Sequence, residues 1–318
     1  MKKLAIIALM LLGGAAAASA AQITFAETPA QAFESALAKN QPILITFYAD
    51  WCGWCKKLDT VTYRNDSVAA LANEIVFVKV NAEKDTAMSH KYGVAGFPTV
   101  VMTKSDGTEI DRIYGYAGPK EFLTIIRDYQ AGRNTLPSYL AQAESAPTPA
   151  LYYLIADKYI GRKKFVDGEK YLNKILELDP NNEKGYSDSA LSSLADMKTR
   201  AKEFDAAKAA YKKLMESYPQ SGLVDNALFG IAAVNRRAEK YDDAIAGFKL
   251  FMSVYPQSEL VPDAAAYIAI CTEKKGDTAT ALQMYERYLI DFPKSEDTTW
   301  VKSQIQRIKN PPADQKGK

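Results

Sequence analysis

The chain is 318 residues long, 47% apolar and 25% charged, a size and balance that fit about two globular domains. Its 40 Lys and Arg offset 38 Asp and Glu, and the net charge of +2 resides in Lys2 and Lys3, leaving 38 basic against 38 acidic residues. No polybasic tract points to nucleic acid, and no acidic run points to a charge-driven partner.

Residues 1–20, "MKKLAIIALMLLGGAAAASA", combine a basic start, an apolar stretch from Leu4 to Leu12 and an A-x-A end at Ala18–Ala20. This pattern is that of a secretory signal, which predicts a mature protein in the periplasm or secreted. Left uncleaved, the same segment would anchor the protein in a membrane. No later stretch is apolar enough to span one.

Residues 21–132 mix strand and helix patterns. "PILITFYA" (42–49) and "IVFVKVNA" (75–82) are β-branched and aromatic runs typical of buried strands. "CKKLDTVTYRNDSVAALANE" and "TAMSHKYGV" predict helix, "TVVMTKSDGTEIDRIYGY" a hairpin turning at Asp106-Gly107, and "GPKEFLTIIRDYQAG" a closing amphipathic helix. The alternation predicts an α/β sheet covered on both faces. Residues 133–149, running into "APTPA" (146–150), read as a linker.

From 150 to 310 the pattern is all helical and internally repeated. A small residue, an aromatic four later and a proline twelve later recur as Ala207/Tyr211/Pro219, Ala244/Phe248/Pro256 and Ala281/Tyr285/Pro293, with Gly168/Leu172/Pro180 as an earlier, looser copy. Small residues at one fixed position let paired helices approach closely, and the proline ends the second helix. The expectation is a helix-pair solenoid, with "DTTWVKSQIQRIKN" as its capping helix and residues 311–318 as a disordered polar tail.

Chemistry concentrates in "YADWCGWCKKLDT" (48–60), where Cys52 and Cys55 stand in C-x-x-C spacing. Such a pair can hold metal, form a fixed staple or cycle between dithiol and disulfide. A zinc site needs four ligands, whereas the chain offers beyond the pair one histidine, His90, and one cysteine, Cys271, in a distant helix. A staple across so short a loop restrains the unfolded chain little. The pair instead follows a buried strand and opens a helix, putting Cys52 where unpaired backbone N–H groups favour a thiolate, the species that attacks disulfides. Redox cycling fits best. His90 reads as a surface residue and Cys271 as a buried packing thiol, a regulatory or intermolecular role being its alternative.

Taken together, "WCGWCK" (51–56), "VFVKVNAEKD", "YGVAGFPTVVM" (92–102) and "GYAGPKEFLTII" resemble the thioredoxin superfamily over about residues 25–130. The wording around the cysteines is similar to its extracytoplasmic branch, including the C-terminal domain of membrane thiol:disulfide interchange proteins. The resemblance implies Cys52 as exposed nucleophile, Cys55 as resolving thiol, Pro98 as the cis-proline, and Trp51 as a shield over the sulfurs or a packing aromatic. It implies substrate contacts at Gly53, Trp54, Phe97 and Thr99, with the Phe97 backbone pairing with an extended substrate. Thioredoxin's buried acid is replaced by Thr46, and the middle dipeptide is Gly53-Trp54, with no histidine. A mildly reducing couple is expected. The helical half resembles tetratricopeptide repeats, in the longer form found in bacterial envelope proteins, which implies a concave surface for a protein or peptide partner.

The combined expectation is an exported thiol–disulfide oxidoreductase acting on protein thiols or disulfides, recharged by an upstream thiol donor. It needs no small cofactor, metal or nucleic acid; its only redox group is the Cys52–Cys55 disulfide. The rival is a non-catalytic adaptor or chaperone-like scaffold that uses the repeats.

Overall fold

The computed structural model describes residues 22–310. The expected signal segment and the expected C-terminal tail lie outside the described residues. The chain divides into two compact units, the second beginning at Leu136.

The first unit opens with β1 (Phe25–Ala26), α1 (Pro29–Lys39) and β2 (Ile43–Tyr48). A short helix α2 (Gly53–Lys57) follows, then α3 (Asp66–Ala69), β3 (Val76–Asn81) and α4 (Thr86–Lys91). The hairpin β4 (Thr99–Thr103) and β5 (Glu109–Tyr114) precedes α5 (Pro119–Gln130). The five strands lie in the order β1-β3-β2-β4-β5; β3 runs parallel to β1 and β2, and β4 antiparallel to both β2 and β5. The central strand β2 is buried along almost its whole length, as its unbroken apolar run requires.

Because side chains alternate along a strand, β2 feeds two cores. Ile43, Ile45 and Phe47 meet Ala32 and Ala36 of α1 and Tyr92. Leu44 faces the other way, toward Leu58, Tyr63, and Phe122 and Ile126 of α5. The turn at Asp106-Gly107 is closed by the Asp106 carboxylate accepting the Thr108 N–H at 2.8 Å, and Gly107 takes a φ of +83°.

The single helical stretch expected after the cysteines is broken. α2 passes into a π-helical turn over Leu58–Thr62, and α3 continues as a 3-10 turn over Ala70–Asn73. Two local causes are visible. The Thr62 hydroxyl bonds the Ala117 carbonyl at 2.8 Å, and the Asn65 side chain caps a fresh helix by accepting from Ser67 and Val68.

The second unit corrects the linker expected over 133–149. Helix α6 (Leu136–Ser145) occupies most of it, and Leu136, Tyr139, Leu140 and Ala143 lay an i, i+3, i+4, i+7 stripe on the core of that unit. "APTPA" marks a helix start: Thr148 accepts the Leu151 N–H, with Pro149 in the first turn.

The helices then run in pairs: α7 (Pro149–Gly161) with α8 (Phe165–Leu178), α9 (Ser187–Arg200) with α10 (Phe204–Ser217), α11 (Val224–Arg237) with α12 (Tyr241–Val254), and α13 (Val261–Lys274) with α14 (Thr278–Asp291). The last described helix is α15 (Thr298–Lys309). Ala207, Ala244 and Ala281 are wholly buried, and Tyr211, Phe248 and Tyr285 pack beside them, so the repeat positions build the core. A Cβ added at Gly168 would come within 2.8 Å of Ile160, which explains the small residue in the first pair. The turn inside each pair holds one left-handed residue, in order Lys163, Lys202, Glu239 and Gly276.

Gly230 tests this close packing. The Tyr211 ring lies against it, and the Tyr211 hydroxyl donates to the Asp196 carboxylate at 2.6 Å, so the ring cannot move aside without losing that bond. A valine has little of alanine's helix preference and overpacks the site. Gly230→Val is expected to destabilise the second unit by about 2 kcal/mol, read as a lower urea midpoint of its helical signal.

Candidate functional site

The end of β2 delivers the chain through Ala49-Asp50-Trp51 to the start of α2. The Cys52 N–H donates to the Ala49 carbonyl at 3.0 Å, and the Asp50 carboxylate accepts from the Asn81 side chain at 3.0 Å, tying this loop to the end of β3. Cys52 is thereby the N-cap of α2. Its Sγ accepts the Cys55 backbone N–H at 3.1 Å, and its carbonyl accepts the Lys56 N–H at 3.2 Å. A donor aimed at a sulfur favours the thiolate there.

Cys52 and Cys55 form a disulfide, with their Cα atoms 5.3 Å apart. Cys52 was the sulfur expected to be exposed, yet in this disulfide both residues are 4% exposed. Tyr48 and Phe97 pack against the pair and account for the cover.

The structure brings most of the other sequence candidates to the same place. The Phe97–Pro98 peptide is cis, and Pro98 is buried. Phe97 meets the edge of Trp51, with ring centroids 5.9 Å apart. Trp51 is 70% exposed, and its indole N–H donates to Glu83 at 2.9 Å. Gly53 and Trp54 lie on the open side of α2, and a Cβ added at Gly53 would touch nothing. Thr99 differs: it is fully buried, and its hydroxyl donates to the Gly96 carbonyl at 2.8 Å, so the side chain closes the proline loop instead of facing outward.

Sequence reasoning missed two partners. Where a buried acid was expected to be lacking, the Thr46 hydroxyl lies 2.6 Å from that of Tyr63, both in the core. Burial pushes the Tyr63 phenol well above its usual range, the Thr46 bond only partly opposing this. The pair is therefore neutral. The second partner is Tyr116, whose ring lies 5.6 Å from that of Trp54. Both partners are brought in by the fold from distant positions, so no local spacing announces them. His90 is exposed on α4 and Cys271 is buried on α13, where burial raises its thiol. Among the described residues, no three His, Cys, Asp or Glu side chains converge in a way that could hold a metal ion.

A second candidate region lies in the repeats. A cleft of about 690 Å³ is lined by Glu259, Asp263, Tyr267, Asp297 and Trp300, among others. Burial, the adjacent Asp297 charge and the hydrogen bond to Asp297 raise the Asp263 carboxyl above the usual carboxylate range.

Two predictions follow from these sites. Tyr63→Phe leaves the Thr46 hydroxyl buried without its partner and should lower the stability of the first unit by about 1–3 kcal/mol. Adding Thr46→Val should recover part of that loss, because no orphaned hydroxyl remains; urea unfolding of both variants measures it. Asp263 is harder to ionise in the folded protein, so its favourable contribution is present at acid pH and is lost as pH rises through its raised folded value. Asp263→Asn should therefore raise the unfolding midpoint of the second unit at pH 7, and the gain should vanish near about pH 4.

Known proteins bear on both units. The sequence profile of the Thioredoxin family matches residues 24–128. Profiles described as Tetratricopeptide repeat and Outer membrane lipoprotein match residues 189–221 and 224–303. Thioredoxin of Chlamydia caviae is 34% identical over 87 residues, which cover 27% of this chain and 81% of that protein. A protein disulfide-isomerase of Zea mays is 39% identical over 93 residues, covering 28% of this chain and 17% of that protein. The thiol:disulfide interchange protein DsbD of Klebsiella pneumoniae is 31% identical over 102 residues, covering 30% and 17%. The similarity to these two thus spans under a fifth of their length. Through residues 24–128, and the Cys52–Cys55 pair within them, the chain belongs to the thioredoxin family and carries a thiol–disulfide oxidoreductase domain.

Proposed function

We propose that the protein is an exported reductase of protein disulfides whose repeat unit holds the partner. The observation that carries the catalytic part is the Cys55 N–H donated to Cys52 Sγ at 3.1 Å, because it singles out the sulfur on which negative charge is favoured. In the reduced state the Cys52 thiolate attacks one sulfur of a partner disulfide. A Cys52–partner mixed disulfide forms, and the other partner sulfur leaves and takes up a proton. Cys55 gives up its proton and attacks Cys52 Sγ. That closes the Cys52–Cys55 disulfide and frees the second partner thiol. Two electrons have passed to the partner, and an upstream thiol donor must return them. Every electron travels on sulfur, so the reading invokes no small cofactor.

Phe97 supports a role in substrate alignment. Among the described residues, no backbone hydrogen bond uses its amide or carbonyl, which leaves both for an extended substrate strand. The reducing direction is supported by what surrounds Cys52. The residue after Gly53 is a tryptophan and the sole histidine is exposed on α4, so no imidazolium of the active-site dipeptide stabilises the thiolate. A less stabilised thiolate makes a stronger reductant.

Export rests on the pattern of residues 1–20. A partner-holding role for the repeats rests on the helix-pair architecture and on the carboxylate- and aromatic-lined cleft at its end. Joining a weak binding surface to the redox unit raises the effective concentration of the chosen partner at Cys52.

Single substitutions separate the two sulfurs. Cys52→Ser should bring disulfide reduction down to the uncatalysed rate. Cys55→Ser should keep the attack but not the release, so that mixed disulfides on Cys52 accumulate and appear as reductant-sensitive bands on non-reducing gels. Turnover undiminished in Cys52→Ser would place the chemistry elsewhere. An absence of both turnover and trapping, with partner binding by the repeats intact, would favour the scaffold reading.

A further inference from the structure

Two of the chain's three tryptophans stand in the active-site segment, and both are exposed. Trp51 is fixed by Glu83 and Phe97. Trp54 lies in a different setting: it is 57% exposed and packs at 32° against Tyr116, which is itself seated on the core of the first unit. The Lys57 ammonium sits 4.8 Å from the Trp54 ring centroid and 4.9 Å from that of Tyr116, inside cation–π range of both. An exposed indole would ordinarily sample several rotamers. Here a second ring and a shared cation hold it in one orientation, on the helix that carries both sulfurs. Packing against the core explains the position of Tyr116 but not the exposed face of Trp54.

We propose that Trp54, Tyr116 and Lys57 form a subsite that grips an aromatic side chain of the substrate, close in sequence to the cysteine under attack. This rests on the oxidoreductase reading and names its substrate class. An aromatic occupant fits best because both rings are already oriented for a third to join by offset or edge contact. Lys57 spends its charge on the two rings, and the carboxylate two residues on, Asp59, pairs with Lys79 at 2.5 Å. Approach is unobstructed at Gly53, where even an added Cβ would meet nothing. The chemical step is unchanged. Cys52 attacks the substrate disulfide, Cys55 resolves, and two electrons pass to the substrate while the aromatic neighbour is held on the platform.

The test uses the full chain, reduced with dithiothreitol and then freed of it. It is mixed with disulfide-linked dimers of short peptides, each with one cysteine flanked by Phe, by Ala or by Glu. Release of peptide thiol over a single turnover, followed by chromatography, gives the second-order rate constant for each dimer. The Phe dimer should be reduced ~3–10-fold faster than the Ala dimer. That ratio should fall toward one in Trp54→Ala and persist in Tyr116→Phe, which keeps the ring. Equal rates for the Phe and Ala dimers in the wild type, or an unchanged ratio in Trp54→Ala, would overturn the subsite. So would a preference for the Glu dimer, which would assign Lys57 to a carboxylate. If the wild type reduces none of the dimers, the oxidoreductase reading itself fails. Reduction of all three at one rate removes only the subsite.

Discussion

One hydrogen bond organises the chemistry of this protein: the Cys55 N–H donated to the Sγ of Cys52 at the first turn of α2. A helix begins with backbone N–H groups that have no partner within the helix. The sequence places a sulfur there, and the fold keeps it there. β2 is gripped between β3 and β4, Asp50 is tied to Asn81 at the end of β3, and Phe97 and Tyr48 close over the pair. Moving any of these would shift the N-cap. The sheet therefore acts as the rigid element that aims a reactive sulfur along a helix start.

The position that holds thioredoxin's buried acid, as the sequence resemblance implies it, is occupied differently here. Thr46 and Tyr63 share a short hydrogen bond in the core, and burial keeps the phenol protonated. A neutral hydroxyl pair satisfies both groups without leaving a charge in a low-dielectric site, where an unpaired ion is costly. It also means that this position offers no carboxylate to accept the Cys55 proton. The proton released on resolution must reach solvent or the departing partner sulfur by another route.

Much of this was legible in the sequence because the signals are local. The buried run 42–49, the turn at Asp106-Gly107, the C-x-x-C pair and the small-residue, aromatic and proline positions of the repeats each carry their meaning within a few residues or one fixed period. The parts that were not legible depend on distant partners. Nothing near Thr46 announces Tyr63, and nothing near Trp54 announces Tyr116; only the folded sheet brings them together. Thr99 looked available beside Pro98, but its hydroxyl turns inward to Gly96. Helix α6 is the instructive miss. Its Leu136, Tyr139, Leu140 and Ala143 stripe was present to be read, yet the proline-containing "APTPA" drew the boundary beyond it, although that motif only starts the next helix.

The central claim is that the Cys52–Cys55 pair is a reducing couple, and its reduction potential tests that most directly. Equilibrating the purified protein against dithiothreitol and glutathione buffers, with the pair's state read by thiol alkylation, gives the value. The account predicts a potential near that of thioredoxin, about −270 mV. A value above about −180 mV would contradict it and make the pair an oxidant or an isomerase site.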